Sequence, residues 1–350
     1  MSARRLDAAY ITKPVSIAYL TGFWADPHER LMSLSVYATE GMILVVPGIE
    51  AQRATAVLKP SFVLAWVDGE DPYKLVEKAL AGCHEVAVEK EHMTLLSAET
   101  LTARIGLSKL VDIGPEVKRL RRIKGTGEIE TLQRAAAIAD AAGDEVLSRL
   151  HGGQTEIAVA EMLAGFIAER GGTLSFETLV QSGPNSAMPH GRPSSRRLEV
   201  GDFVLVDFGA QVDGYKADMT RMAVVGEPSA RHLEIHQLVL DAHDAAIEAV
   251  RAGVTTGEID AAARRVIDHG GHGDRFFHRI GHGIGLEEHE DPSLDPGSAT
   301  VLEAGMVFTV EPGIYIPGWG GVRIEDDVVV EQDGCRVLTR SDRSLRIVAV

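Results

Sequence analysis

Short apolar runs alternate with helical spacing over the first third of the chain. Runs rich in apolar and β-branched residues predict strands at 8–11, 32–37, 42–46, 62–67 and 85–89. Apolar positions three or four residues apart predict helices at 49–58, 72–82 and 93–105. The alternation predicts a small α/β domain over residues 1–115, which ends where Ile113-Gly-Pro-Glu116 breaks the pattern.

Residues 116–350 contain one pattern twice. Leu198-Glu-Val-Gly-Asp-Phe-Val-Leu-Val-Asp-Phe-Gly209 aligns without a gap with Leu302-Glu-Ala-Gly-Met-Val-Phe-Thr-Val-Glu-Pro-Gly313, because 302 − 198 and 311 − 207 both give 104. Upstream, Gly153-Gln-Thr-Glu-Ile157 is echoed by Gly253-Val-Thr-Thr-Gly-Glu-Ile259, and a long helix is predicted from Thr126, taken as its N-cap. Each half is helix, helix, strands, which predicts one α+β domain with a curved antiparallel sheet inside outer helices.

Each copy brings two carboxylates to equivalent places. Asp207 and Glu311 end the aligned apolar strands, and Asp218 and Glu325 come after short loops. A strand often ends in an acid before a turn, but here apolar residues flank the acids on both sides, as in strands that are covered on both faces. Four buried like charges cannot all be ionised without a cation, so the repeat predicts a metal site between the halves.

Three histidines lie between the two acid pairs, in Phe277-His-Arg-Ile-Gly-His-Gly-Ile-Gly-Leu-Glu-Glu-His-Glu290. The glycines argue against a helix, and a dinucleotide-binding loop is disfavoured because no apolar strand precedes them. In an extended segment His278 and His282 share a face, so both can point into one cleft. A single histidine is as often structural as ligating, but among four acids an imidazole completes a site suited to two first-row divalent metals.

A further histidine, His190, lies in a segment rich in Gly, Pro, Ser and Asn, Gln181-Ser-Gly-Pro-Asn-Ser-Ala-Met-Pro-His-Gly-Arg192, which predicts a loop. Functional side chains are frequent on loops. From the residue pattern alone, His190 can be either a surface residue or a catalytic residue.

The charge and cysteine content narrow the functional class. Asp and Glu number 51 against 35 Lys and Arg, a net charge of −16, which disfavours nucleic acid as a partner. The basic run Lys118-Arg-Leu-Arg-Arg-Ile-Lys124 is interpreted as a solvated helix or linker face. No long apolar stretch predicts a membrane span, the first ten residues lack a signal-peptide core, and Cys83 and Cys335 fit reduced thiols. We therefore expect a cytoplasmic protein that does not bind membranes.

These motifs resemble the pita-bread metallopeptidase family of prolidases, Xaa-Pro aminopeptidases and methionine aminopeptidases. The resemblance covers most of the chain, and Ile17-Ala-Tyr-Leu-Thr-Gly22 is similar to the extra N-terminal domain of the proline-specific branch. It implies a dinuclear centre in which Asp218 and Glu325 bridge two divalent ions. Asp207 would bind one ion, and His282 and Glu311 the other.

The resemblance also implies roles around the metals. The implied catalytic residues are His190, His278 and Glu311, and the implied substrate-binding residues are His289, Tyr315 and Arg323. Manganese is the expected metal, with cobalt or zinc as alternatives, and a homodimer is expected. One departure is Arg279, which comes after His278 where many relatives have glycine.

The implied activity is metal-dependent hydrolysis of the Xaa-Pro bond in dipeptides. Phe176 is a candidate for an apolar proline pocket. Arg30, in the loop Phe23-Trp-Ala-Asp-Pro-His-Glu-Arg30, is a candidate cation for the dipeptide carboxylate, with Arg323 as the second choice. The alternatives are an Xaa-Pro aminopeptidase acting on longer peptides, a creatinase-like enzyme without metal and a non-catalytic pita-bread binding module. The last two are disfavoured because all five ligands are present.

Overall fold

The structure is a computed structural model that describes residues 6–350. Residues 1–5, which contributed to the argument against a signal peptide, lie outside the described residues. The chain divides into two compact units, Met1–Arg121 and Arg122–Val350.

The first unit is a mixed six-stranded sheet of order β4-β3-β2-β1-β5-β6 with helices. Its elements are β1 Ala8–Ile11, α1 Pro14–Thr21, β2 Ser33–Tyr37, β3 Met42–Pro47, α2 Ala51–Val57, β4 Val63–Trp66, α3 Tyr73–Ala79, β5 Val86–Val88, α4 Leu95–Ile105, β6 Leu110–Asp112 and α5 Gly114–Arg122. The predicted strands and helices of this region are confirmed within one to three residues at most ends. The pattern missed α1, which is short and apolar on most sides, so that no amphipathic spacing marks it.

Helix α5 changes two expectations. Its second residue, Pro115, suits the first turn of a helix, where no backbone N–H is needed, so the pattern break near residue 115 marks a helix start. The first unit accordingly continues through α5 to Arg121. The basic run 118–124, which continues past the end of this helix, is also not wholly solvated, because Arg121 and Lys124 are buried and Lys124 pairs with Glu290 at 2.7 Å.

The second unit carries the duplication, and each half begins with two helices. The helices are α6 Thr126–Arg149 and α7 Glu156–Glu169 in the first half, and α8 Ala230–Ala249 and α9 Thr256–His269 in the second. The strands are β7 Thr173–Leu174, β8 Leu179–Ser182, β9 Phe203–Phe208, β10 Ala210–Val212, β11 Tyr215–Lys216, β12 Met219–Val225, β13 His282–Gly283, β14 Glu290–Ser293, β15 Val307–Val310, β16 Gly313–Ile316, β17 Gly320–Arg323, β18 Asp326–Val330, β19 Cys335–Val337 and β20 Arg346–Val348.

The duplication extends to individual hydrogen bonds. Gly153 N donates to Leu198 O at 2.8 Å, and Gly253 N donates to Leu302 O at 2.9 Å. Thr155 and Thr255 cap α7 and α9 through their side-chain oxygens. The repeat found in the sequence is therefore a repeat of structure.

The N-cap predicted for α6 is wrong by one residue. Gly125 is the N-cap, and its N–H donates to Glu128 Oε2 at 2.8 Å, whereas Thr126 is the first helical residue. The side chain that secures this end of the helix is therefore Glu128, three residues after the cap, and not the threonine hydroxyl.

Two sheets form the centre of the second unit, of order β20-β12-β9-β8 and β14-β13-β15-β18-β19. They meet at an antiparallel bridge between Thr220 and Glu325. Within residues 122–350 the strand pairs are antiparallel, as predicted, except β12 with β20, which is parallel. Apolar residues of the sheets and of α6 to α9 form two large clusters. The junction of the sheets is therefore held between packed layers, and the acid-bearing strands end beside it.

Candidate metal centre

The predicted metal ligands converge. All five line one cavity of about 380 Å³ in the second unit: Asp207, Asp218, His282, Glu311 and Glu325. His282 Nε2 lies 3.5 Å from a Glu311 carboxylate oxygen and 3.7 Å from Asp218 Oδ2. Ligand atoms of Asp218, His282 and Glu325 all lie within 4.8 Å of one another, and the three side chains are buried. These separations allow a shared cation to contact several of the side chains at once.

Two threonines fix the side chains of the candidate ligands. Thr220 Oγ1 donates to Glu325 Oε2 at 2.6 Å across the bridge that joins the two sheets. Thr309 Oγ1 accepts from the His282 backbone N–H at 3.1 Å and lies 3.4 Å from Glu311 Oε1, to which it can donate. Both threonines are fully buried and extended on strands, so the carboxylates they contact have restricted orientations.

Burial and mutual repulsion raise the pKa values of the acids. Burial is the main cause for Asp218 and Glu325, whose pKa values are raised well above their usual range, and neighbouring carboxylates add to it. Burial also raises the pKa of Asp207 and raises the pKa of Glu311 to about 7. The imidazole of His282 has its pKa lowered well below the usual value, again mainly by burial. Ionised acids beside a neutral imidazole are the state that a bound cation favours.

The donor set fits divalent metal ions. Asp207 Oδ1 and Asp218 Oδ1 are buried, and neither has a hydrogen-bond partner in the described part of the chain. A buried carboxylate oxygen without a partner is costly, and a cation would satisfy it. The four acids and the one imidazole form an oxygen-rich set suited to hard divalent ions.

Arg323 and Tyr315 lie beside this set. The Arg323 guanidinium donates to Asp207 Oδ2 and, through Nε, to Thr220 Oγ1 at 2.9 Å. Tyr315 was predicted to line the pocket, but it is only 1% exposed and is not among the residues that line the cavity. Its hydroxyl instead contacts Arg323 and His278, so Tyr315 supports residues that reach the cavity.

A chain of hydrogen bonds determines which nitrogen of His278 carries hydrogen. His278 Nδ1 lies 2.7 Å from the Arg279 carbonyl, which can only accept, so Nδ1 donates. Burial and the charge of Arg323 lower the pKa of His278 to about 4, so the ring is neutral and Nε2 is an acceptor. Nε2 accepts from the Tyr315 hydroxyl at 3.1 Å, and that oxygen accepts from Arg323 at 3.1 Å. In this arrangement His278 offers a substrate no N–H.

His190 is placed differently from His278. It lies in the predicted loop, after the short 3₁₀ turn Gly183–Ala187, is exposed, and borders the cavity. Its ring makes no hydrogen bond within residues 6–350. Of the two histidines that the family resemblance implies are catalytic, His190 alone has both ring nitrogens without a hydrogen bond in the described part of the chain.

The remaining predicted substrate residues are divided between the two units. His289 and Phe176 border the cavity, and the His289 ring lies 4.0 Å from the His282 ring. Arg30 belongs to the first unit, where its guanidinium pairs with Asp68 at 3.0 Å and with Glu29 at 3.0 Å. The charge of Arg30 is thus compensated within the first unit, and its assignment to the dipeptide carboxylate stays a prediction.

Glu156 is a residue of this region that the sequence analysis missed. It is fully buried at the start of α7, and its carboxylate accepts from Ser182 N at 2.7 Å and Ser194 N at 3.0 Å. The side chains of Ser182 and Ser194 also donate to it, each at 2.7 Å. Glu156 thus holds both ends of the loop that contains His190. The only signal was an acid directly after the cap Thr155, where the second half has Thr256.

Replacing Glu156 with alanine is expected to lower the free energy of unfolding by about 3 kcal/mol, because buried N–H and hydroxyl donors lose their acceptor. Denaturant titration monitored by circular dichroism measures this. Glu161→Ala, on the exposed face of the same helix, is the matched control and should change it by no more than about 0.5 kcal/mol. Equal effects of both substitutions would contradict the anchoring role.

Comparison with known proteins identifies relatives over nearly the whole chain. Residues 130–332 match the sequence profile of metallopeptidase family M24, and residues 1–123 match that of the creatinase/prolidase N-terminal domain. A putative dipeptidase of Bacillus subtilis, YkvY, is 40% identical over 97% of this chain and 95% of its own. An Xaa-Pro dipeptidase from Bacillus anthracis superposes with a TM-score of 0.91 at 36% identity, covering 99% of this chain and 96% of its own. An X-Pro aminopeptidase from Thermotoga maritima superposes with a TM-score of 0.89 at 34% identity, covering 99% and 98%.

A membrane-crossing role finds no support among the helices. None of those in residues 6–350 combines the length and the apolar character that a bilayer span requires.

Proposed function

The chain belongs to metallopeptidase family M24, and we propose that it hydrolyses the Xaa-Pro bond of dipeptides with two divalent ions held by Asp207, Asp218, His282, Glu311 and Glu325. The observation that carries this proposal is the convergence of the five side chains on one cavity, with two buried carboxylate oxygens that lack a partner in the described chain. The proline-specific dipeptidase from Bacillus anthracis, which matches over nearly its full length, supports the substrate.

The positions and contacts of the side chains support a catalytic role for each residue. Two divalent ions, when bound, supply an activated water and polarise the scissile carbonyl. Glu311 borders the cavity beside Thr309 and is assigned the transfer of a proton from the attacking water to the leaving proline nitrogen. His190 is assigned the N–H that donates to the developing oxyanion, since its ring is free and exposed.

We assign the preference for proline substrates to the shape of the pocket. An Xaa-Pro amide has no N–H, and its ring is rigid, so a pocket need not provide an acceptor at that position. Phe176 and His289 border the cavity and offer ring faces against which the pyrrolidine can pack. Arg323 and Tyr315 contribute indirectly, because their hydrogen bonds hold Asp207 and His278 in place.

We further propose manganese as the native metal, because carboxylates with a single imidazole suit it; cobalt and zinc remain the alternatives. Metal analysis of protein purified without added metal tests this. The cytoplasm is the proposed location, supported by the two free cysteines Cys83 and Cys335. A homodimer is proposed from the family resemblance and is tested by light scattering.

An Xaa-Pro aminopeptidase is the second candidate. The structure from Thermotoga maritima, described as an X-Pro aminopeptidase, matches this chain nearly as well as the dipeptidase does. The two activities differ in the C-terminal side of the proline residue, which carries a free carboxylate in a dipeptide and a peptide bond to a further residue in a longer substrate.

The proposed dipeptidase is expected to cleave Met-Pro with a kcat/KM about tenfold or more above that for Met-Pro amide or a Met-Pro-Xaa tripeptide. The reason is that a charged carboxylate bound by a cation contributes about 1.5–3 kcal/mol that the neutral ends lack. Release of the N-terminal methionine measures all three rates. Equal rates on the amide or the tripeptide would make aminopeptidase the better description.

A further inference from the structure

A dipeptide carboxylate needs a cation at the cavity, and three arginines border it: Arg192, Arg279 and Arg323. Arg323 is buried, and its N–H groups are used by Asp207, Thr220 and Tyr315. Because a guanidinium that leaves Asp207 would expose a buried carboxylate, Arg323 is poorly suited to bind a substrate that comes and goes.

Arg192 is also compensated. Its guanidinium lies 3.3 Å from a Glu177 carboxylate oxygen, and its side chain is 78% exposed. An exposed, paired arginine loses part of its attraction for a ligand to its partner and to water. Of the three arginines that border the cavity, Arg279 is therefore the remaining candidate for binding the dipeptide carboxylate.

Arg279 is held but not neutralised. Its Nη1 donates to Ser293 Oγ at 2.8 Å, and it forms no ion pair with any carboxylate in residues 6–350. A guanidinium has five N–H donors, so most of those on Arg279 are available. Ser293 lies opposite His282 in the β13–β14 pairing, which fixes the guanidinium next to the strand of this candidate ligand.

Arg279 lines the same cavity as the residues assigned to the reaction. His190, His289 and Glu311 border this cavity together with Arg279. In a bound dipeptide the carboxylate lies one residue beyond the scissile bond, or about 3.5 Å of chain. A cation that borders the cavity of the candidate metal ligands is therefore on the surface that a dipeptide bound there would contact.

We propose that Arg279, held by Ser293, binds the free C-terminal carboxylate of the substrate and makes the enzyme prefer dipeptides. This inference rests on the proposed Xaa-Pro hydrolysis and replaces Arg30 and Arg323 in the role first expected of them. The planar guanidinium can form two parallel hydrogen bonds to a carboxylate, which an amide or a peptide bond cannot accept in the same way. Arg279 is thereby a specificity-determining residue, and Ser293 is a positioning residue.

The test compares Arg279→Met, which removes the charge and keeps the aliphatic length, with Arg279→Lys and Arg275→Met. Arg275 is a matched control in the same segment, because it pairs with Asp274 at 3.2 Å and does not border the cavity. Arg279→Met should raise KM for Met-Pro by about 10-fold or more, with a smaller change in kcat, and leave KM for Met-Pro amide unchanged. Arg279→Lys should restore part of the preference, and Arg275→Met should behave as wild type.

A binding measurement separates recognition from turnover. Calorimetric titration of the metal-loaded protein should show tighter binding of L-proline than of L-prolinamide, and Arg279→Met should remove the difference. Unchanged discrimination in Arg279→Met would overturn the assignment, as would its loss in Arg30→Met.

The outcomes for wild type distinguish the two proposals. If wild type cleaves neither Met-Pro nor its amide, the proposed function is wrong, and the proline titration alone decides whether Arg279 binds a carboxylate. If it cleaves both at equal rates, Xaa-Pro hydrolysis stands and the role of Arg279 is refuted.

Discussion

Removing the divalent ions is expected to abolish hydrolysis and to lower the unfolding temperature by roughly 10 °C. Hydrolysis stops because the attacking water is no longer activated. Stability falls because Asp207, Asp218, Glu311 and Glu325 line one cavity, and ionised carboxylates without a cation repel one another. A ligand present at about 1,000 times its dissociation constant stabilises the folded state by about 4 kcal/mol, which is the scale of the loss.

Thermal unfolding before and after dialysis against a chelator measures this, with metal content determined on the same samples. Asp218→Asn should reproduce the loss of metal. Asp213→Asn is the matched control, since Asp213 is exposed, pairs with Arg134 at the surface and should retain the metal. An unchanged unfolding temperature together with retained hydrolysis after verified metal removal would refute the dinuclear centre.

His190→Ala is expected to lower kcat by about 10²-fold or more while leaving the metal content unchanged. His190 borders the cavity and makes no hydrogen bond to the described chain, so its removal leaves no protein group unsatisfied. The substitution would then remove stabilisation of the transition state, in which the carbonyl oxygen gains negative charge and needs a hydrogen-bond donor.

Steady-state kinetics on Met-Pro, with metal analysis of each variant, separates this role from metal binding. A fall in kcat and kcat/KM by the same factor is expected, because the interaction is made only in the transition state. His269→Ala, at the exposed end of α9, serves as the control. Normal turnover by His190→Ala would show that the loop carries no chemistry.

The sequence by itself determined the architecture of the second unit and the positions of the candidate ligands. The repeat was visible because each half must bury a strand that ends in a carboxylate, and this requirement leaves the same apolar pattern at a constant offset. Asp207 and Glu311 were identified from that pattern, and they meet at one cavity because two similar halves pair. Local periodicity also predicted most strands of the first unit, since each is a short apolar run bounded by turn residues.

Only the tertiary structure decided which charged side chains have an ion-pair partner and which hydrogen-bonding groups are already used. The carboxylate partners of Arg30 and Arg323 are Asp68 and Asp207, which lie 38 and 116 residues away along the chain, so the local sequence did not reveal them. Glu156 has its role through Ser182 and Ser194, and Arg279 contacts Ser293 and forms no ion pair in the described chain. Apolar burial depends on local spacing that can be read along the sequence, whereas the availability of a charged group depends on which distant side chain lies within about 3 Å, a distance that only folding sets.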